Sequence, residues 1–64
     1  MKEYDNSAMQ ELIAERIHSE RDRYILRRDL IDDISYERIA EETGLSDRWV
    51  RKIAKDGKKR LNLI

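Results

Sequence analysis

The side chains best equipped for chemistry crowd into the last third of the chain: Ser46, Asp47, Arg48, Trp49, Arg51, Lys52, Lys55, then Lys58, Lys59 and Arg60. From Ser46 onward there are 7 basic and 2 acidic residues. Arginine and lysine donate to the O6 and N7 acceptors of guanine and to phosphate oxygens, so cations repeated along one face suit a polyanion held in a groove. Covalent chemistry lacks its parts. There is no Cys, and the one His, His18, has no Ser or second base spaced with it into a reactive set. The same shortage leaves a zinc site without ligands. Glu11, Glu15, Asp29, Asp32 and Asp33 could suggest paired carboxylates, but with no second functional group beside them they read as a solvated helix face. A non-enzyme with no cofactor and no metal is expected.

Positioning those cations requires helices. The chain has no Pro and 2 Gly, and its Glu, Lys, Arg, Leu, Ile and Ala content favours helix. Ser7 followed by Gln10 has the capping-box spacing, and Met9, Leu12, Ile13 and Ile17 recur at helical intervals, which predicts a first helix over about 8–18. His18 would end it at the solvent edge, where a cationic side chain suits the carbonyl end. Ser19 with Asp22 repeats the capping pattern, and Ile25, Leu26, Leu30 and Ile31 predict a second helix over about 20–32. Ser35 can cap a third, 36–43, facing inward through Ile39 and Ala40 and stopped by Gly44, a residue that readily takes the left-handed conformation. Ser46 restarts the chain. The fourth helix, about 47–56, would bury Val50 and Ile53 and end at Asp56-Gly57, leaving 57–64 as a flexible basic and apolar tail. The expected architecture is all-α, one compact four-helix domain over 1–64.

Residues 35–54, SYERIAEETGLSDRWVRKIA, carry the most information. Two short helices joined by so short a turn must cross steeply, which asks for a small residue at the crossing (Ala40), a positive-φ position in the turn (Gly44) and a shared apolar core (Ile39, Leu45, Val50, Ile53). All are present, a joint pattern that marks a helix-turn-helix over about 36–55. A helix of ~10–12 Å diameter fits the ~12 Å major groove of B-DNA. Arg48 and Lys52 are assigned to base edges, Arg51 and Lys55 to phosphates. Asp47 complements the helix dipole or accepts from a cytosine amino group. Trp49 seals the edge of the core, meets a sugar-phosphate or thymine methyl, or forms a dimer contact. Tyr36 and Arg38, starting the third helix, either reach the opposite phosphate backbone or pack on the surface. Lys58, Lys59 and Arg60 are expected on phosphates.

Composition bounds the rest. Sixty-four residues allow one domain with a thin core. The net charge of zero hides a split: residues 1–33 carry 6 basic and 9 acidic side chains, residues 34–64 carry 8 and 5. The cationic half can therefore meet a polyanion although the total cancels. No apolar run approaches the ~18 residues of a membrane span, and the absence of Cys fits a reducing compartment, so no membrane association and a cytoplasmic location are expected.

The run ERDRYILRRDLIDDISYERIA, residues 20–40, followed by EETGLSDRWVRKI, resembles the carboxy-terminal promoter-reading domain, region four, of sigma-seventy-type bacterial sigma factors. The likeness spans about residues 8–55. It implies a compact four-helix fold whose last helix reads a promoter's upstream element and whose other surface can touch RNA polymerase. The chain departs from the family pattern at Asp33, where Gly is common, and at Arg28, where Leu is usual. With nothing upstream to melt a promoter, the expectation is a stand-alone regulator, of the sort that small phage and mobile-element proteins resemble.

A sequence-specific transcription regulator binding double-stranded DNA is the first functional expectation. A sigma-like adaptor docking on RNA polymerase or another regulator is the alternative, and a phage DNA-packaging or recombination accessory protein is a third. Leu61, Leu63 and Ile64 either fold back onto the first helix or pair with a second copy, and a homodimer would place two recognition helices in grooves ~34 Å apart.

Overall fold

The computed structural model describes residues 5–63. Four helices account for the fold: α1 (Asn6–Arg16), α2 (Glu20–Leu30), α3 (Tyr36–Thr43) and α4 (Asp47–Arg60). Each begins at a side-chain cap whose oxygen accepts an otherwise unsatisfied backbone N–H: Asp5 from Ala8, Ser19 from Asp22, Ser35 from Arg38 and Ser46 from Trp49. The first of these corrects the expected start at Ser7. Asp5 caps more strongly because its carboxylate adds charge at the positive end of the helix, and Ser7 is left inside the first turn. α1 also stops earlier than expected, since Ile17 is extended and His18 lies exposed beyond the helix. Arg23 donates to the carbonyls of Ala14 and Ile17, occupying acceptors that the end of α1 leaves open.

The core falls into clusters on either side of α2. Ile13, Ile17, Leu26 and Leu61 form one, and Ile25, Ile39, Val50 and Ile53 the other. Adjacent residues of α2, Ile25 and Leu26, thus face the helix-turn-helix and the α1 side respectively. At ~1.5–3 kcal/mol for each large aliphatic side chain fully buried, these contacts dominate the favourable side of folding. No polar or charged residue is buried among the described residues.

α4 differs most from expectation. It runs through Asp56 and Gly57 to Arg60, so Lys58, Lys59 and Arg60 belong to a helix and not to a loose tail. Gly57 is a close-approach glycine: a Cβ there would come within 2.4 Å of Leu26 Cδ1. The extension brings Leu61 to the α1 side of the core at 1% exposure, so this part of the apolar end folds back onto the domain. Asn62, at φ 62°, closes the helix, with its N–H donating to the Lys59 carbonyl and that of Leu63 to Lys58. Ile64, expected in the same apolar end, lies outside the described residues. No helix among them is long and apolar enough to cross a membrane.

Candidate nucleic-acid interface

The turn between α3 and α4 sets the direction of the cationic helix. Gly44 holds φ 76°, and its N–H closes α3 on the Ala40 carbonyl. Thr43 Oγ1 donates to the Ile39 carbonyl and accepts from the Leu45 N–H, which lets Leu45 join Ile39, Val50 and Ile53 against the core. α4 leaves this turn with Val50, Ile53, Ala54 and Gly57 inward.

At ~100° per residue, those buried positions put Arg48, Lys52, Lys55 and Lys59 within an arc of about 60° on the opposite side, spread along roughly 16 Å of helix. All four are exposed. Lys52 stands 3.8 Å from Asp56, one turn on. Arg48, Lys55 and Lys59 have no carboxylate within ion-pair distance among the described residues. Arg51 lies toward one flank, 3.4 Å from Asp47. Exposed pairs of this kind contribute ~0.2–1 kcal/mol and exchange readily for another anion. The second oxygen of Asp47, Oδ1, is enclosed and without a hydrogen-bond partner among the described residues. Asp47 thus stands in the first turn of α4 with one oxygen enclosed and the other beside Arg51, where its charge complements the positive end of the helix.

Lys58 is drawn out of the cationic set. Its Nζ lies 3.2 Å from Asp29 Oδ2 on α2 and 3.2 Å from the Tyr36 hydroxyl at the start of α3. It also lies 5.9 Å from the centre of the Tyr36 ring. Burial alone would lower the lysine pKa, but hydrogen bonds to Tyr36 and Asp29 outweigh it and raise the value above the ordinary one. Lys58 and Tyr36 tie the far half of α4 to the α2–α3 turn, which for Tyr36 is the surface packing that was one of its two expected roles. The reason is the helix extension, since a loose tail could not have held Lys58 at a fixed distance from Asp29.

Arg38 stays exposed and lies 3.7 Å from Glu42, one turn along α3. Glu42 is the centre of a cross-link between α2 and α3. Arg28 grips it through Nε and Nη2, and the Tyr24 hydroxyl donates to Oε1 at 2.7 Å. Hydrogen bonds from Arg28, then from Tyr24, hold the carboxyl well below the usual range, at about 2. The same contacts raise the pKa of Arg28, chiefly through Glu42 and then Asp32, and that of Tyr24, chiefly through Glu42. Arg28, which broke the apolar pattern of α2, thus has a defined partner that no local spacing indicates.

Trp49 is 40% exposed and lines a cleft that it shares with the buried Ile17, Ile53 and Gly57. The cleft, about 160 Å³, runs between the start of α2 and one flank of α4, with Arg21, Asp22, Lys52, Asp56 and Arg60 around its mouth and Ile17, Ile53 and Gly57 at its base. Arg21, which sequence reasoning passed over, enters the cationic surface here, because only the packing of α2 on α4 shows that they share a rim. No cluster of His, Asp and Glu among the described residues has the arrangement of a metal site. No protein-family model matches the chain, and neither does any curated protein or solved structure among those compared.

Proposed function

We propose that this chain is a sequence-specific transcription regulator that lays α4 in the major groove of double-stranded DNA. The observation that carries the reading is the outward row Arg48, Lys52, Lys55 and Lys59 on a helix that follows a left-handed glycine turn and is backed by an apolar core. Arg48, in the first turn and unpaired among the described residues, is the principal base reader, and Lys52 is the second once Asp56 is displaced. Lys55 and Lys59 follow the strand as the helix leaves the groove, with Arg51 toward one wall. The likeness to sigma region four supports the same orientation. Lys58 and Tyr36 have a bracing role in this reading and make no direct phosphate contact.

Selection of bound sequences from a random duplex pool tests the proposal. Recovery of a defined motif supports it. Arg48→Ala should then relax preference at one base position with a loss of about 1–3 kcal/mol, while Lys59→Ala should weaken all duplexes evenly and reduce the salt slope by about 0.9. Weak, salt-independent binding to every duplex would refute it. Capture of nuclease-treated RNA polymerase without any duplex binding would turn the assignment to an adaptor.

A further inference from the structure

Three features outside the outward row compete for a role: the half-buried apolar rim of Met9, Leu12, Leu30 and Ile31, the Arg28–Glu42 cross-link, and the cleft at Trp49. Nothing indicates what would cover the first, and the second is internally satisfied. The cleft is different, because it combines cations from α2 and α4 with a large aromatic side chain left partly in solvent.

We infer that this cleft is a second DNA contact, seating one phosphodiester and its sugar from the strand that forms one wall of the groove occupied by α4. The inference rests on the reading of α4 as a groove-binding helix. A cylinder of ~10–12 Å placed in a groove ~12 Å wide fills it, so the flanks about 90° from the deepest face meet the sugar-phosphate walls. Trp49 and Arg60 lie about 100° round α4 from the outward row. Their flank is the one on which the start of α2 packs, and Arg21 projects there from a second helix. A wall strand therefore meets cations from two directions.

The chemistry of the rim selects a phosphodiester. Arg21, Lys52 and Arg60 face Asp22 and Asp56, three cations against two carboxylates; Asp22 is held by Arg21 Nε at 3.2 Å, and Asp56, 3.8 Å from Lys52, gives up that contact when Lys52 turns to a base, so Arg21 and Arg60 are the cations the cleft keeps for a phosphate. The Asp22 contact engages Arg21 by Nε, leaving its Nη groups to donate elsewhere. Arg60 has no carboxylate partner among the described residues, and its carbonyl is tied to Arg16 at 3.1 Å, which fixes the backbone from which its guanidinium extends. The indole N–H of Trp49 donates to no group among the described residues, and its ring offers the flat apolar surface that a deoxyribose covers. A volume of about 160 Å³ is far below the ~300–1,000 Å³ that encloses a drug-sized ligand, so the cleft suits a group on a chain and not a free nucleotide.

The test uses the duplex recovered by selection, with a single uncharged methylphosphonate placed in turn at each backbone position. Arg21→Ala and Arg60→Ala should each weaken the unmodified duplex about 3–10-fold, and the two together should reduce the salt slope by about 0.9, the value for one phosphate. One substituted position should weaken the parent protein, weaken each single variant less, and add nothing to the double variant. Both arginines are exposed, and neither side chain packs in the core, so circular dichroism should be unchanged. Trp49, the one Trp in the chain, should change its emission on the unmodified duplex and respond less on the duplex with the critical phosphate neutralised. Parental affinity and slope for both variants, with Arg48→Ala still losing binding, would overturn the cleft contact while leaving the groove reading intact. No binding by the parent to any duplex would overturn both.

Discussion

Replacing Gly57 by Ala separates a helix that passes through this residue from one that stops at it. In the middle of an exposed helix the change stabilises by about 1 kcal/mol, because glycine gives up more backbone freedom on folding. Here the new methyl would lie 2.4 Å from Leu26 Cδ1, 2.8 Å from Cδ2 and 3.0 Å from Cγ, against the ~3.5–4.0 Å at which carbon atoms attract. Leu26 is fully buried between Ile13, Ile17 and Leu61, so its methyls have little room to swing aside. Overpacking of this kind costs about 1–3 kcal/mol, and contacts this short belong at the upper end, so with the helix gain deducted a net loss of up to about 2 kcal/mol remains. For a domain of this size each kcal/mol shifts Tm by ~4–8 °C, so thermal unfolding followed by circular dichroism should show a fall of up to about 8–16 °C. A left-handed glycine at a helix end would also resist Ala, so the decisive arm is the background Leu26→Val, which lacks both Cδ atoms. There most of the loss should disappear, a coupling of about 1 kcal/mol between the two sites. A higher Tm for Gly57→Ala, or a loss unchanged by Leu26→Val, would refute the packing of α4 across Leu26.

Gly44→Ala should cost about 1–2 kcal/mol by backbone strain alone, because φ is 76° and nothing lies within 4 Å of the added Cβ; Gly44→Asn should recover part of the loss in the same melting assay. Lys58→Ala should lower stability by about 1 kcal/mol and leave the salt slope of duplex binding unchanged, unlike Lys59→Ala, which should change the slope and spare the melt. Glu42 has a folded pKa of about 2 against an ordinary 4.5, so its contribution to stability is complete above pH 4.5 and is lost as pH falls toward 2. Glu42→Gln should therefore flatten the stability profile over that acid range when denaturation midpoints are compared.

The fold was legible wherever a local rule decided it. Ser19, Ser35 and Ser46 cap the helices they were expected to cap, and Gly44 closes α3 as its spacing required. Asp33, standing where the resembled family often has Gly, does take a left-handed backbone, at φ 59°. The misreadings came from tertiary contacts overriding residue type. Gly57 follows Asp56 in a pair that usually breaks a helix, yet it is needed where α4 crosses Leu26. The spacing Val50, Ile53, Gly57, Leu61 already continued the inward stripe and was the available signal. Lys58 was indistinguishable from Lys59 by composition, and only the approach of α2 and α3 divides a bracing ammonium from an outward one. Arg21 and Arg28 likewise depend on partners far along the chain, Arg60 across the cleft and Glu42 across the α2–α3 junction.

The absence of buried polar residues among those described means that fold and surface are written in separate alphabets. Aliphatic residues fill the core, serine caps and the Arg28–Glu42 and Lys58–Asp29 pairs fasten the helices, and the outward row of α4 can be respelled without disturbing either. Exchanging Arg48 and Lys52 for Gln, Asn or Glu would supply hydrogen bonds suited to other bases while every core contact stayed as it is. On the groove reading proposed above, such a division lets the target diverge faster than the architecture.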